Sequence, residues 1–393
     1  MPSPSRPRPD RTAGGGLTVN AYSAGWLRRG FAWVYPAEVL GGRAQRGERV
    51  RVQAEDGTVL GQGIADDGWI AVRLLADAEG EFEAGVARRV QAALSRRVAV
   101  DATARRLVNA ENDDLPGIRV DDYAGHAVLS LDSPSLDAVV PVIARVVDAR
   151  SLVVAYRRDP RDAGPAPAAR IAGGADPGEV EVTELGLRFA VRPALGKDAG
   201  LFTDMRELRR WLSPWWTGRR VLNLFAHTGA FSVSAVAHGA HRVDSVDLSA
   251  PHLSRARRNF DLNGLNAEDH GFWAEDCFKA LDRLRRTGQA YDVVVVDPPG
   301  YARSDDGGWQ GEKDWPRLAA ACLRVLAAGG WLVACSNLGT QSPRQFAGAL
   351  SQGAERAGRR LRVIHEACPP PDHPAALHFP EAHYLKAWVV VVD

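Results

Sequence analysis

The stretch of sequence that decides the fold is VLNLFAHTGAF, residues 221–231. Residues 221–225 form a short apolar run typical of a buried strand, and Gly229 marks a turn before a helical segment at 231–238. The alternation continues with strand segments at 242–247, 270–274, 292–296 and 331–335 and helical segments at 250–263, 277–286 and 315–326. Because strands that alternate with helices build mostly parallel sheets, this half of the chain is predicted to be a doubly wound α/β domain.

Carboxylates follow successive strands of this predicted sheet, at the edge where open parallel sheets bind their ligands. Asp247 ends the second strand, Glu275 and Asp276 follow the third, and Asp297 follows the fourth. Each carboxylate alone is as typical of a helix cap as of a binding site. Three of them around the Gly229 turn favour a nucleoside site, in which Asp247 accepts ribose hydroxyls and Asp276 meets an adenine amino group. The free N–H groups after the turn suit a ligand carboxylate.

A nicotinamide dehydrogenase is the competing interpretation, because it also has an acidic residue about 20 positions after a glycine turn. Its GxGxxG fingerprint is missing here, since Gly229 is followed by Ala230 and Phe231 and no further glycine. A diphosphate would lack its cradle, whereas a methionine carboxylate needs none. The residues therefore favour S-adenosyl-L-methionine as the cofactor.

These motifs resemble those of class I methyltransferases. More narrowly, the chain resembles the large-subunit ribosomal RNA cytosine-5 methyltransferases that carry an N-terminal PUA-like domain. Segments that carry the resemblance lie along almost the whole chain: 25–39 (GWLRRGFAWVYPAEV), 109–121 (NAENDDLPGIRVD), 196–206 (GKDAGLFTDMR), 221–231, Asp247, 259–265 (NFDLNGL), Asp276, 297–299, 372–374, 380–381 and 384–386.

The resemblance implies three folded parts and dimers. Residues 1–16 are predicted to be a disordered tail, 17–85 a PUA-like RNA-binding barrel, 86–195 a central α+β domain and 196–393 the Rossmann-like methyltransferase domain. The residues agree with this order in part. They predict short strands at 49–52 and 69–74, a basic helix at 86–107, a helical segment at 136–147, strands at 127–131 and 151–156, and a loop at 159–178.

The resemblance also implies which residues form the S-adenosyl-L-methionine site. The expected cofactor-binding residues lie in segment 196–206 and at the ends of the strands: Phe202, Asp204, Arg206, Asn223, Phe225, Thr228, Gly229, Asp247, Leu248, Asp276, Cys277, Asp297 and Pro298.

The sequence departs from this family at the residue that would attack cytosine. Carbon 5 becomes nucleophilic only after a thiolate adds to carbon 6, and the family places this thiol in a Ser-Cys-Ser motif after a Gly-Gly turn. Counted from Gly329 and Gly330, Cys335 lies two residues before the position of the family's thiol, and Asn337 occupies that position. A two-residue offset moves the sulfur about 6–7 Å along a strand, which predicts a packed and inert cysteine. A local bulge would instead restore Cys335 as the nucleophile.

Methylation of a guanine or adenine nitrogen is the alternative, because it needs no covalent intermediate. Asp297, the two stiffening prolines after it and Tyr301, which is placed to stack on a flipped base, suit that chemistry. Asn337 belongs to a Ser-Asn sequence that resembles one of rRNA guanine methyltransferases. His227 is interpreted as a packing residue beside the cofactor turn. Trp309 and Trp315 are interpreted as a lid over the substrate, with or without a chemical role.

Composition sets wider limits on the 393 residues. Four cysteines without a CxxC pair predict a cytoplasmic protein without a metal site, and the lack of a long apolar run predicts no membrane segment. The net charge of +1 neither supports nor excludes a nucleic-acid partner. Only 4 of the 49 basic residues are lysine. The high arginine content is explained either by phosphate recognition or by a genome rich in GC codons. The resemblance, and not the composition, implies RNA as the partner, in particular 23S rRNA. A non-catalytic factor that binds S-adenosyl-L-methionine and RNA is the alternative from a different class.

Overall fold

The structure is a computed structural model that describes residues 16–157, 167–304, 307–379 and 383–393. The predicted tail lies outside the described residues except for Gly16, which begins the first strand. Pro380 and Glu381, which carry part of the resemblance, and residues 159–166 of the predicted loop also lie outside them.

The first sheet has six strands in the order β2-β6-β5-β4-β1-β3. Its fourth strand alternates exposed arginines with the buried Val50 and Val52, so one face of the sheet packs on a core and the other faces solvent. The strand predicted at 69–74 begins and ends later than expected. The elements are β1 Gly16–Val19, α1 Ala21–Leu27, β2 Trp33–Val34, β3 Val39–Gly41, β4 Arg49–Gln53, β5 Val59–Ala65 and β6 Val72–Ala76.

The middle of the chain forms a five-stranded sheet in the order β11-β10-β9-β8-β7, followed by a separate hairpin of β12 and β13. Its elements are α2 Phe82–Arg96, β7 Ala104–Asn109, β8 Ile118–Tyr123, β9 His126–Leu131, α3 Val140–Val147, β10 Ser151–Tyr156, β11 Arg170–Gly173, β12 Val180–Glu184 and β13 Leu187–Val191. The predicted boundary between residues 85 and 86 falls inside α2. The division into domains stays a prediction.

Two sequence predictions in this region are wrong. The helix predicted at 86–107 ends at Arg96, because residues 104–109 form β7 and pair antiparallel with β8. Residues 170–173 of the predicted loop form the edge strand β11, which pairs with β10. β7 pairs with the next strand, β8, and β11 with the preceding strand, β10, and it is this pairing in the sheet, which local composition did not reveal, that makes them strands.

The second half of the chain is a seven-stranded sheet in the order β16-β15-β14-β17-β20-β22-β21, which confirms the predicted doubly wound α/β fold. The first five are parallel and β22 is antiparallel to both neighbours. The strands are β14 Arg220–Leu224, β15 Arg242–Asp247, β16 Gly271–Ala274, β17 Tyr291–Val296, β18 Tyr301–Ser304, β19 Gly307–Gln310, β20 Leu326–Ser336, β21 Leu361–Ala367 and β22 Lys386–Val392. The hairpin of β18 and β19 is separate from this sheet.

Helices cover both faces of the large sheet. They are α4 Arg206–Leu212, α5 Ala230–Ala237, α6 Ala250–Leu262, α7 Cys277–Arg286, α8 Gly311–Leu323 and α9 Pro343–Ala357. Alternate residues of β17 therefore enter two different cores, Val294 in one and Val293 and Val295 in the other. Trp315 is 1% exposed within the first of these cores, so its interpretation as a lid residue is wrong. In the described part of the chain, every helix is too short or too polar to cross a membrane.

Candidate functional site

A cavity of about 360 Å³ lies at the carboxyl ends of the parallel strands, beside the point where the strand order reverses between β14 and β17. Most of the residues predicted for the site line it together. They are Phe202, Asp204, Asn223, Phe225, Thr228, Asp247, Leu248, Asp276, Cys277, Asp297 and Asn337.

Among the predicted residues whose side chains the structure describes, four do not line the cavity: Arg206, Gly229, Pro298 and Cys335. Gly229 and Pro298 shape the backbone next to it, and the neighbouring Pro299 lines it instead. Tyr301 begins β18, and its side chain lies outside the described part of the structure.

The loop after β14 has an unusual backbone. Phe225, His227 and Gly229 have φ values of 55°, 49° and 75°, all in the left-handed region. A Cβ at Gly229 would lie 2.9 Å from the Cβ of Ala256 on α6, so glycine is required by both backbone and packing. Strained backbone of this kind is typical of ligand-binding turns.

Two side-chain contacts hold this loop in place. The Thr228 hydroxyl donates to the carbonyl of Gly200, and the Asn259 amide donates to the carbonyl of Thr228 at 2.8 Å. Asn259 also accepts a bond from the backbone of Ala190 at 2.8 Å. The segments before β14 and in α6 thus fix the turn from two sides, which explains why Asn259 is fully buried.

Asp247 organises the same turn. Its carboxylate accepts from the N–H groups of His227 at 2.8 Å and Ser249 at 2.9 Å, and the His252 ring nitrogen lies 3.5 Å away. Burial raises the pKa of Asp247, but the contacts with His252, Ser249 and His227 outweigh it and leave the pKa below its usual value. The carboxylate is therefore ionised at neutral pH and faces the cavity as an acceptor.

Asp276 has a structural role as well as a place in the cavity. One of its oxygens, Oδ1, accepts from the N–H groups of Phe278 at 2.9 Å and Lys279 at 3.2 Å and so caps α7. Within the described residues, its second oxygen has no such partner. Asp276 therefore suits both roles expected of such a carboxylate, helix cap and ligand-binding residue, because one oxygen caps the helix while the other is available to a ligand.

His227 lines the cavity beside these carboxylates. Its ring lies 5.1 Å from that of Phe202 and 4.4 Å from that of His252. Burial, with the charges of His252 and Arg255, lowers the pKa of His227 to about 4. The ring is neutral at pH 7, which agrees with a packing role at the wall of the cavity.

Asp297 and Asp204 both line the cavity, close enough for their charges to interact. Burial, reinforced by Asp204 and only partly offset by Arg209, raises the pKa of Asp297 to about 7. Asp204 accepts a 2.7 Å hydrogen bond from the Tyr384 hydroxyl. Within the described residues, no hydrogen bond reaches the Asp297 carboxylate, so Asp297 is the more available of the two acids.

Cys335 lies in the sheet and not in the cavity. It is fully buried in β20 opposite Ala387 of β22. Burial, with the charges of Asp297 and Asp204, raises its thiol pKa well above the usual value. The side chain of Asn337, just past the end of the strand, lines the cavity. The register between β20 and β22 is regular here, without the bulge that would have exposed the sulfur.

Arg206 belongs to a buried ion-pair network. Its guanidinium donates to Glu184 at 3.2 Å, Asp372 at 2.8 Å and the carbonyl of Ala104 at 2.7 Å. Arg209, one helical turn later, donates to the other Glu184 oxygen at 2.7 Å and also lines the cavity. Helical spacing links the two arginines, but only the packing of α4 shows which of them faces the ligand.

Sequence reasoning missed several further lining residues. Trp309 is 6% exposed, and its indole N–H donates to the carbonyl of Pro299 at 2.6 Å, so it closes one wall and is not a surface lid. The other missed residues lie within or close to the sequence motifs: Asp198, Gly200, Met205, Arg209, Ala226, Ala230, Phe231, His252 and Phe278.

The cavity suits a nucleoside that carries a charged amino-acid group. It combines apolar walls with an ionised carboxylate at Asp247 and a free oxygen at Asp276, on adjacent strands. The start of α5 at Ala230 also lines it and supplies N–H groups for an anion. Within the described residues, no group of three or more His, Cys, Asp or Glu residues is arranged to hold a metal ion.

Comparison with known proteins gives two family matches and full-length relatives. Residues 137–388 match the S-adenosylmethionine-dependent methyltransferase family and residues 17–77 match the PUA-like domain. Ribosomal RNA large subunit methyltransferase I of Shewanella amazonensis is 34% identical over 93% of this chain and 96% of its own length. A ribosomal RNA large subunit methyltransferase of Deinococcus radiodurans is 33% identical over 93% of this chain and 95% of its own length. A structure solved with bound SAH superposes with a TM-score of 0.85 at 22% identity, covering 96% of this chain and 99% of that chain, and supports the fold.

Proposed function

Because the chain belongs to the S-adenosylmethionine-dependent methyltransferase family that includes ribosomal RNA large subunit methyltransferase I, we propose that it methylates a base of large-subunit (23S) ribosomal RNA. The observation that carries this proposal is that the Asp247, Asp276 and Asp297 carboxylates, from three strand ends, line one cavity. The PUA-like match at residues 17–77 supports RNA as the partner. Cytoplasmic location and a homodimer stay predictions.

The residues of the cavity divide into a cofactor side and a substrate side. S-adenosylmethionine supplies an activated methyl group when bound. Asp247 is positioned to accept the ribose hydroxyls and Asp276 to accept from the adenine amino group, while the start of α5 faces the cofactor carboxylate. Charge-assisted hydrogen bonds of this kind contribute about 1.5–3 kcal/mol each.

We propose further that the acceptor is a base nitrogen and not carbon 5 of cytosine. A cytosine-5 reaction needs a thiolate in the cavity, and Cys335 lies outside it with a raised pKa. Cys277 does line the cavity, but burial raises the pKa of its thiol well above the usual value too. Asn337 and Asp297 instead offer amide and carboxyl oxygens that accept hydrogen bonds from an exocyclic amino group. These oxygens would orient the nitrogen lone pair towards the methyl group.

The test combines cofactor binding with product analysis. Large-subunit RNA from a strain lacking the gene is incubated with the purified protein and S-adenosylmethionine, and its nucleosides are identified by mass spectrometry. We expect one methylated purine or a cytosine methylated on nitrogen. 5-Methylcytosine as the product would overturn the assignment of the atom, and no methylated nucleoside despite cofactor binding would favour the non-catalytic factor.

Asp247→Ala provides the cofactor control. We expect its affinity for S-adenosylmethionine, measured by calorimetry, to fall at least about tenfold, as the loss of one charge-assisted hydrogen bond predicts. Asp269→Ala, in the surface turn before β16, is the matched variant and should bind as the wild type does. Equal affinities in all three proteins would remove Asp247 from the cofactor site.

A further inference from the structure

A second cluster of aromatic side chains lies outside the cofactor cavity. We call it the Trp–Arg surface, formed by Trp211, Trp215, Trp331, His365, Arg219 and Arg360. The Trp211 ring stacks on His365 with centroids 4.2 Å apart and planes 3° from parallel. Trp331 lies 5.8 Å from Trp211 and 5.6 Å from Trp215. The four rings thus form one continuous aromatic patch.

Part of this patch is open to solvent. The Trp215 side chain is 47% exposed, although large aromatic side chains gain most from burial. The neighbouring edge strand β21 also exposes Val363 and Ile364, by 48% and 43%. An aromatic face that stays exposed beside a sheet edge is typical of a binding surface.

The charge of the patch is positive and unbalanced. The Arg219 guanidinium lies over the Trp331 ring, 5.2 Å from its centroid. Among the described residues, neither Arg219 nor Arg360 forms an ion pair, whereas Arg206 and Arg209 are fully paired with carboxylates. These two cations therefore remain available to an anionic partner.

The register of the sheet places these residues at one end. Trp331, Val391 and Arg362 are direct partners across β20, β22 and β21, so their side chains share a face. Arg360 precedes Arg362 by two positions, at the start of β21, and Arg219 precedes the parallel strand β14. Trp331 lies six residues before Asn337, or about 20 Å along a strand, so this surface is separate from the cavity.

We propose that the Trp–Arg surface binds a single-stranded segment of the RNA substrate, with a base stacked on Trp215 and phosphates beside Arg219 and Arg360. Aromatic rings next to cations form the common arrangement of sequence-tolerant single-strand binding. A second copy of the chain fits less well, because a twofold contact would bring together two surfaces that each carry these unpaired arginines. The inference rests on the proposed function, since it concerns how the same RNA is held.

The test measures RNA binding of Trp215→Ala, Arg219→Ala and Arg360→Ala in the full-length protein. The probes are undermethylated large-subunit RNA and a dye-labelled single-stranded RNA oligonucleotide. Loss of one stacked base predicts about tenfold weaker binding for Trp215→Ala, with rescue by Trp215→Phe. Each arginine variant should lower the slope of log affinity against log salt by about one.

Arg258→Ala is the matched charge control, because Arg258 is exposed on α6 and paired with Glu179 at 3.2 Å. Affinity for S-adenosylmethionine should stay within twofold of wild type in every variant. RNA affinity within twofold of wild type for all three surface variants would overturn the inference. So would a change of oligomeric state in sedimentation with unchanged RNA affinity, which would assign the surface to a second copy.

The outcomes separate this inference from the proposed function. If the wild type methylates RNA but the surface variants bind RNA normally, only the inference fails. If the wild type binds RNA through this surface but never methylates it, the proposed function fails and the inference stands.

Discussion

Asn337 follows Cys335 by two positions, yet the side chain of Asn337 lines the cofactor cavity while that of Cys335 is buried within the sheet. The strand ends at Ser336, and Cys335 pairs in regular register with Ala387. The sulfur therefore packs within the sheet and is not among the groups that line the cavity. This relationship decides which chemistry the site supports.

Cys335→Ala should retain methylation, with kcat/KM within about threefold of wild type. The thiol is buried and protonated at neutral pH, so its removal takes away packing and no reacting group. Asn337→Ala should instead lower kcat at least about tenfold. Steady-state kinetics with radiolabelled S-adenosylmethionine measures both variants. Loss of activity in Cys335→Ala with normal cofactor affinity would restore the thiol mechanism.

Leu338 fixes the loop that carries Asn337. Its two terminal methyl groups lie 2.8 Å and 2.5 Å from where a Cβ at Gly300 or Gly311 would fall, and its carbonyl accepts a hydrogen bond from Lys386 Nζ. Gly311→Ala should push Leu338 aside and lower kcat about three- to tenfold without changing cofactor affinity.

A second substitution tests this contact. Adding Leu338→Ala to Gly311→Ala removes the methyl groups that collide, so the double variant should be no slower than Leu338→Ala alone. Gly348→Ala is the control, because nothing lies within 4 Å of a Cβ at that helical position. Strictly additive losses from the two substitutions would show that the collision does not matter.

Arg206→Met should destabilise the protein by about 3–5 kcal/mol, because it leaves Asp372 buried without its arginine and Glu184 with only one of its two arginines. Arg210→Ala, one residue beyond Arg209, breaks only an exposed pair with Glu207 and should cost less than about 1 kcal/mol. Urea unfolding measures both. Equal stabilities of the two variants would contradict the structural role of Arg206.

Asp297→Asn should differ from the wild type in stability by an amount that grows with pH. The pKa of Asp297 is raised from 3.8 to about 7, so the folded protein binds this proton more tightly than the unfolded chain does. The contribution of Asp297 to stability should therefore fall as pH rises from about 4 to about 7 and then level off, while the lowered pKa of His227 contributes in the opposite direction.

The neutral amide of Asn does not ionise, so the variant avoids the cost of a buried negative charge at high pH. At pH 8 the melting temperature of Asp297→Asn should exceed that of the wild type by at least about 2–4 °C, the shift that 1 kcal/mol causes in a domain of 150–250 residues. At pH 4 the two should coincide. A constant difference from pH 4 to pH 8 would show that Asp297 has an ordinary pKa.

The sequence alone determined the sheet and the acids at its edge. Strands and helices of the second half follow from local periodicity, and parallel strands bring their carboxyl ends to one edge. Asp247, Asp276 and Asp297 could thus be assigned to one site without coordinates. The same local reasoning failed at β7 and β11, whose strand character depends on pairing with the adjacent strands β8 and β10.

Only the tertiary structure decided which neighbouring side chains face the ligand. Arg206 and Arg209 lie one turn apart on α4, and the choice between them depends on Glu184 and Asp372, which are distant in sequence. The burial of Cys335 likewise depends on its pairing with β22, more than 50 residues later. Periodicity is a property of one segment, whereas the direction of a side chain in a folded protein depends on what packs against it.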